Sequence, residues 1–215
     1  MRFLKETHQY FNENIEYLST SKWKEPFEKP FPAEMIANRT AKGDMAIKNN
    51  LLGKWDLKKE MMVDFGNSGH MAIEYWIKYK EMPDQPNLAK IVEAFEETHN
   101  DDKMYSELIA YDKERKIAGT IDILVALGDK EVKIRDLKFN GNIHKKGKGK
   151  LLTPFNDLVD SKINVYRLQL SMYSHLCKCM GLKVKALEIL WFNGKAFDVI
   201  PIEPIDLTEA LKIKQ

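Results

Sequence analysis

The feature that most limits how this chain can fold is a pair of adjacent β-patterned runs. Residues 116–127 are rich in Ile and Val, residues 131–139 continue the pattern, and Gly128-Asp129 stands between them. Such residues on either side of a glycine-led turn predict an antiparallel pair of strands. Each run also carries an acid among apolar neighbours: Asp122 in Gly119-Thr120-Ile121-Asp122, and Asp136 in Arg135-Asp136-Leu137-Lys138. A half-buried carboxylate is costly unless it is paired or bound to a cation. Two acids on neighbouring strands can converge on one hard cation such as Mg²⁺ or Mn²⁺. Lys138 lies two residues beyond Asp136. Positions i and i+2 of a strand face the same side, so ammonium and carboxylate project into one site.

Around this pair the chain divides into two regions. The first hundred residues read as mainly helical. An amphipathic helix is expected over 3–18, with Phe3, Leu4, Phe11, Ile15 and Leu18 near one face. A proline-bearing connector covers 26–32. Helical patterns resume over 35–52, 55–63, 69–80 and 88–98, with Pro83 and Pro86 as stops. After residue 100 the pattern changes to strands: 104–111, then the two runs above. Residues 140–161 read as a long loop. Residues 162–180 read as a helix with Val165, Leu168, Met172 and Leu176 on one side and Gly181 as C-cap. Residues 186–192 and 196–202 form a hairpin whose Asn193-Gly194 signals a type I′ turn. The order predicts an α/β fold in which helices flank a central mixed sheet, behind a helical N-terminal region. It fits a single domain over 1–215, with 101–203 as the catalytic core.

Composition narrows the class. The 215 residues are 44% hydrophobic and 31% charged, which suits a folded globular chain rather than a disordered one. Neither an apolar run of about 18 residues nor a secretory leader pattern is read, so no membrane partner is expected. Cys177 and Cys179 diverge on a helix and are not expected to pair. The default setting is therefore reducing and cytoplasmic. A net charge of +2 announces no nucleic-acid partner by itself. Charge is clustered locally: Lys145, Lys146, Lys148 and Lys150 follow the second acidic run without an intervening acid. Such a cluster is either a solvated loop or a hold on a phosphate backbone.

The acids and lysine suit phosphodiester hydrolysis, in which metal ions polarise the phosphate and the lysine offsets developing charge. A lone D-x-K triplet is common, but here it stands in a series. Upstream lies Gly66-Asn67-Ser68-Gly69-His70-Met71-Ala72-Ile73-Glu74, at an expected helix start. Glu107 follows on a strand, then Gly119-Thr120-Ile121-Asp122 and Asp136-Leu137-Lys138. Gln169 and Tyr173 come last, at i and i+4 of a helix. In this order the motifs resemble the RecB-like nuclease branch of the PD-(D/E)XK superfamily, over about residues 42–192.

The resemblance implies a restriction-endonuclease-like core and a Mg²⁺- or Mn²⁺-dependent deoxyribonuclease using one or two ions. It implies an exonuclease more than an endonuclease, acting on DNA ends or single strands in recombination, repair or phage DNA metabolism. DNA is then the partner, alongside recombination or replication proteins. His70, Asp122 and Asp136, with the Leu137 carbonyl, resemble the metal ligands. Asp122, Asp136 and Lys138 resemble the catalytic group, and Lys138 its lysine. Gln169 and Tyr173 resemble the residues that approach the substrate backbone. Glu107 would be an auxiliary ligand or orienting residue. Phe139 departs from the Thr or Ser that many relatives carry after the lysine. Iron–sulfur members need four cysteines, and two are present, so no cluster held by this chain alone is expected. The alternatives are a non-catalytic DNA-binding or assembly module on the same fold, and a structure-specific endonuclease.

Overall fold

The computed structural model describes residues 1–4, 7, 9–98, 103–139 and 141–213, with the side chains of Lys146 and Lys148 outside the description. It begins with strands where the sequence predicts a helix. β1 (Arg2–Leu4), β2 (Gln9–Asn12) and β3 (Ile15–Ser19) form an antiparallel meander. Tyr10 and Tyr17 are register partners and both are buried. Phe3 stacks on Tyr10 with ring centroids 4.7 Å apart. The apolar positions of 3–18 mimic a helical stripe, but aromatic and β-branched residues gain more from cross-strand packing. Residues 5, 6 and 8 of that expected helix lie outside the described residues.

Ser19 caps the short α1 (Thr20–Lys24), its hydroxyl accepting from Lys22 N at 3.2 Å. A 3₁₀ turn (Glu25–Phe27) and α2 (Ala33–Ala41) follow. The three helices expected between residues 35 and 80 are divided differently. Met45–Tyr79 is one 35-residue helix, α3. Asp44 starts it, its carboxylate accepting from Ala46 N at 2.8 Å and Ile47 N at 3.1 Å. Gly53, Gly66 and Gly69 each disfavour a helix by roughly 1 kcal/mol relative to alanine, yet none breaks it. His70 therefore lies deep inside α3 and not at a helix start. α4 (Pro86–Thr98) completes this layer.

The expected strands are present: β4 (Met104–Asp112), β5 (Ile117–Gly128) and β6 (Glu131–Lys138). The segment read as one long loop contains a small ribbon, β7 (Lys146–Lys150) paired with β8 (Val159–Ser161). α5 (Lys162–Cys179) is followed by β9 (Lys183–Phe192) and β10 (Phe197–Pro201). The β9–β10 connection is a four-residue loop and not a type I′ turn. Phe192 pairs with Phe197, and Asn193 Oδ1 accepts from Lys195 N at 3.0 Å and Ala196 N at 3.1 Å. The asparagine side chain thus organises the turn that a two-residue loop would have closed through its backbone.

The main sheet has eight strands in the order β1-β2-β3-β5-β6-β9-β10, with β4 on the other edge of β5. The sheet is mixed: β3–β5 and β6–β9 are parallel, and the other pairs are antiparallel. One face packs on α5 through Ile121, Ile134, Leu168, Met172 and Ile189. The other packs on α3 and α4 through Ile73, Phe95, Ile123, Leu137 and Leu190. The mixed sheet between helical layers is the architecture expected from the sequence.

Two details of this sheet create a cleft. First, β3 and β6 share the edge of β5 opposite β4, but at different heights. β3 pairs with Ile117 and Ala118, whereas β6 pairs only from Ile123 onward. Between them that edge of β5 opens, and Asp136, Leu137 and Lys138 run on past the last β5 pair while still paired to β9. Second, Ile121 and Ile123 lie two residues apart yet pack into opposite cores. The changeover falls at Asp122, opposite Glu107, which takes a left-handed φ of 54° within β4. A non-glycine residue in that region is uncommon in a strand and reorients its neighbours.

α3 is held against this cleft by Phe139. A Cβ on Gly69 would lie 2.5 Å from the Phe139 ring, so helix and ring meet at a distance only glycine permits. Gly69→Ala should destabilise the fold by roughly 1–3 kcal/mol through overpacking. Gly69→Ala combined with Phe139→Leu should recover part of that loss, as read by denaturant midpoints. Additive destabilisation in the double variant would refute the contact as the cause.

Candidate active site

One cleft of about 510 Å³ lies at the fork, lined by residues of β1, β2, β3, α1, α3, β4, β5, β6 and α5. α3 contributes Asn67, His70, Met71 and Glu74. The spacing i, i+3, i+4, i+7 places them on one helix face. β4 gives Glu107, β5 gives Gly119, Thr120 and Asp122, β6 gives Lys138, and α5 gives Gln169 and Tyr173. Residues from five separate motifs of the sequence therefore meet in one cavity.

His70, Glu107 and Asp122 each offer a ligand atom, and those atoms lie within 4.8 Å of one another. Glu107 thus stands with the histidine and the aspartate rather than behind them. The sequence signal for it was thin, a lone acid on a strand; register explains its place, since it falls opposite Asp122 between the Ser106–Ile123 and Leu108–Ile121 pairs. His70 Nδ1 is 3.7 Å from Asp122 Oδ2. That same oxygen accepts from Leu137 N at 2.7 Å, so the carboxylate spans the gap where β6 leaves β5.

Asp136 and Lys138 form the second half. Their Oδ2 and Nζ are 2.5 Å apart, and Asp136 is almost fully buried. Asp136 Oδ1 has no hydrogen-bond partner among the described residues. Such an orphaned buried oxygen is destabilising by roughly 1–3 kcal/mol or more, and a cation would satisfy it. Lys138 Nζ also donates to the Leu137 carbonyl at 3.1 Å and lies 4.9 Å from the centroid of the Tyr166 ring. Tyr166 is not expected from the sequence, where it is one of two tyrosines on α5 and stands outside the motif series. In this arrangement the Leu137 carbonyl, expected as a ligand, is engaged by the lysine.

Electrostatics follow from burial. Desolvation raises the Asp122 carboxyl above its ordinary value, against the pull of Lys138. It raises Asp136 as well, to about 6, again opposed by Lys138 and reinforced by Asp122. Burial, then Lys138, lowers His70 to about 4, so its imidazole is neutral near pH 7 and keeps a lone pair for a metal. Burial would lower Lys138, but Asp136 and Asp122 outweigh it, and the lysine is held above its usual range as an ammonium ion.

On α5, Gln169 Nε2 donates to the Tyr173 hydroxyl at 2.9 Å. Burial holds Tyr173 well above the ordinary phenol range, so it stays a hydroxyl donor. Gly119 is required here: a Cβ would come within 2.3 Å of Thr20 Oγ1 and 2.6 Å of a Tyr173 ring carbon. Tyr10 and Thr120, hydrogen-bonded at 2.8 Å, form the wall beneath. Phe139 does not enter the cleft; it is buried between α3 and the Phe192 and Phe197 rings. Lys145 and Lys150 of the basic run are not part of the described lining either. Lys150 Nζ donates to the Asp157 carbonyl at 3.0 Å, and Lys145 lies near enough to Lys162 to lower that lysine's pKa, second to burial. Of Lys146 and Lys148 the description includes only the backbone in β7.

No family model and no curated protein matches the chain. Among solved structures, that of SSO0001 is similar at 12% identity over 97% of this chain and 77% of its own, with a TM-score of 0.44. A candidate exonuclease from Eubacterium rectale is similar at 13% identity over 99% and 82%, with a TM-score of 0.46. Likeness of this degree carries no functional argument, so the site's own chemistry has to supply it.

A cation and a proton should compete for this site. Asp136 is raised in the fold, so its favourable protonated form is fully present below about pH 4 and is lost as the pH rises through about 6. A divalent ion supplies positive charge instead of the proton. Mn²⁺ should therefore raise the melting temperature of the metal-stripped protein clearly at about pH 7.5 and much less at about pH 5. Equal shifts at both values would show that Asp136 is not coupled to the metal.

Proposed function

We propose that this chain is a divalent-metal-dependent nuclease that hydrolyses phosphodiester bonds in DNA, of the PD-(D/E)XK class and its RecB-like branch. The observation that carries the reading is the convergence of His70, Glu107 and Asp122 within 4.8 Å, in the same cleft as Lys138. Asp136 stands against Lys138 with one oxygen orphaned.

His70, Glu107 and Asp122 would hold the ion, with Asp136 beside them. Oxygen donors with one imidazole favour Mg²⁺ or Mn²⁺, and Mn²⁺ tolerates the nitrogen better. When bound, the ion polarises the scissile phosphate and lowers the pKa of a water molecule. The ammonium of Lys138 is kept charged by its two carboxylate neighbours. It orients the attacking water and offsets charge that develops on the phosphate. Gln169 and Tyr173 supply neutral donors on the α5 wall, where they position the sugar–phosphate backbone. Lys145, Lys146, Lys148 and Lys150 extend the path of the backbone away from the cleft. The open fork and its cleft suit DNA ends or single strands, as an exonuclease would engage them in recombination, repair or phage DNA metabolism.

Cleavage of a labelled oligonucleotide should stop in EDTA and return with Mg²⁺ or Mn²⁺. Asp122→Ala, Asp136→Ala and Lys138→Ala should each lower the rate by roughly 100-fold or more, the scale of a lost electrostatic stabiliser. Lys138→Ala should still bind DNA in Ca²⁺, because the ligands stay. Wild-type cleavage by Asp136→Ala, or full activity after chelation, would sink the proposal. Degradation of linear but not closed circular DNA is the expected mark of an exonuclease.

The lysine cluster has its own test. Changing Lys145, Lys146, Lys148 and Lys150 to Ala should weaken DNA binding and flatten its salt dependence. Each lost phosphate contact reduces the log–log slope by roughly 0.7 on single strands and 0.9 on duplex. The rate at saturating DNA should change far less. Unchanged slopes would make the cluster a bystander.

A further inference from the structure

We propose a second metal site on the opposite end of α5, formed by Asp112, His175 and Cys179, which takes a borderline-soft ion such as Zn²⁺. The three side chains present one ligand atom each, all within 4.8 Å of one another. His175 Nε2 lies 2.9 Å from Asp112 Oδ2 and 3.5 Å from Cys179 Sγ. Zinc binds nitrogen and oxygen at about 2.0–2.2 Å and sulfur at about 2.3 Å, so ligand atoms in a tetrahedron stand roughly 3.3–3.8 Å apart. The observed spacing approaches that geometry before any ion is added.

Each ligand is set by the fold. His175 and Cys179 are i and i+4 on the last two turns of α5 and so share one face. Asp112 ends β4 and is buried. Its other oxygen accepts from Glu114 N at 2.9 Å and Arg115 N at 3.1 Å, which aims Oδ2 at the histidine. Outer hydrogen bonds of this kind orient the ligands of metal sites. Arg115 Nη1 also reaches Asp112 Oδ2, at 3.0 Å, but its side chain is 41% exposed and can swing into water when an ion takes its place. Asp, His and Cys together form a donor set for zinc and a poor one for Mg²⁺, because thiolates suit softer ions. Cys179 is exposed, so the fourth position opens to solvent.

None of the three lines the catalytic cleft. The site stands independently of the nuclease reading. Its consequence is mechanical: a bound ion ties the C-terminal turns of α5 to the base of the β4–β5 turn, and the same helix carries Gln169 and Tyr173.

The test uses the full chain and Co²⁺ as a spectroscopic stand-in for zinc. One equivalent should produce a thiolate-to-cobalt charge-transfer band, displaced by one equivalent of Zn²⁺. The cluster of His70, Glu107 and Asp122 contains no sulfur, so it cannot give that band, and Asp122→Ala should leave it intact. Cys179→Ser should abolish it, and His175→Ala should weaken zinc binding about tenfold or more. In the unaltered protein, one equivalent of Zn²⁺ should slow alkylation of Cys179 by iodoacetamide at least several-fold. Absence of the band at stoichiometric cobalt, its persistence in Cys179→Ser, or unprotected alkylation in zinc would each overturn the site.

Discussion

The structure depends on one electrostatic problem: two carboxylates and an ammonium group share a nearly dry fork between β5 and β6. Each charge alone would cost several kcal/mol to bury. Lys138 neutralises one acid, so Asp122, Asp136 and Lys138 together carry one negative charge, and His70 is neutral near pH 7. Glu107 adds a further carboxylate to the same cleft. Desolvation pushes Asp136 up to about 6, with Lys138 opposing it and Asp122 adding to it, so a proton and a cation would compete for the site. A site built only for stability would have replaced these groups with apolar ones of similar size. Their placement beside an open cleft suits the binding of an ion.

That fork exists only because the strands part. A regular antiparallel pairing of β5 and β6 along their whole length would bond Leu137 N to a backbone carbonyl. Instead it bonds Asp122 Oδ2, and a side chain takes the place of a ladder contact. The parting strands also need α3 at a fixed height, since His70 must come from a different layer. Phe139 sets that height through Gly69, with Phe192 and Phe197 behind it. The residue after Lys138 is therefore a positioning residue for the helix.

Much of the core was legible because its periodicities are local. β5, β6, α5 and β9 follow from alternation, β-branching and a seven-residue apolar spacing, and Asp122, Asp136 and Lys138 follow from acids and a lysine in apolar strands. The N-terminal strands were not, because apolar positions at 3, 4, 11, 15 and 18 satisfy a helical stripe, and only pairing of Tyr10 with Tyr17 settles the matter. The unity of α3 was hidden for a related reason. Glycines at 53, 66 and 69 read as interruptions, whereas Gly69 is fixed by an aromatic ring seventy residues away. The place of Glu107 and the contact of Tyr166 with Lys138 are products of register and of layer packing, and neither leaves a pattern within its own segment.

Glu107 depends on the same packing. A left-handed φ costs a non-glycine residue of order 1–3 kcal/mol, and such strain persists only where surrounding structure imposes it. Here β5 imposes it: eight register pairs lock β4 against β5 on both sides of Glu107, while Ala110 and Met104 pack into opposite cores. Relaxing Glu107 to an ordinary strand conformation would turn its side chain away from Asp122 or rotate one end of β4 out of its core. The strain is thus held by two hydrophobic cores at once. The carboxylate reaches the cleft because the apolar packing on either side leaves it no other orientation.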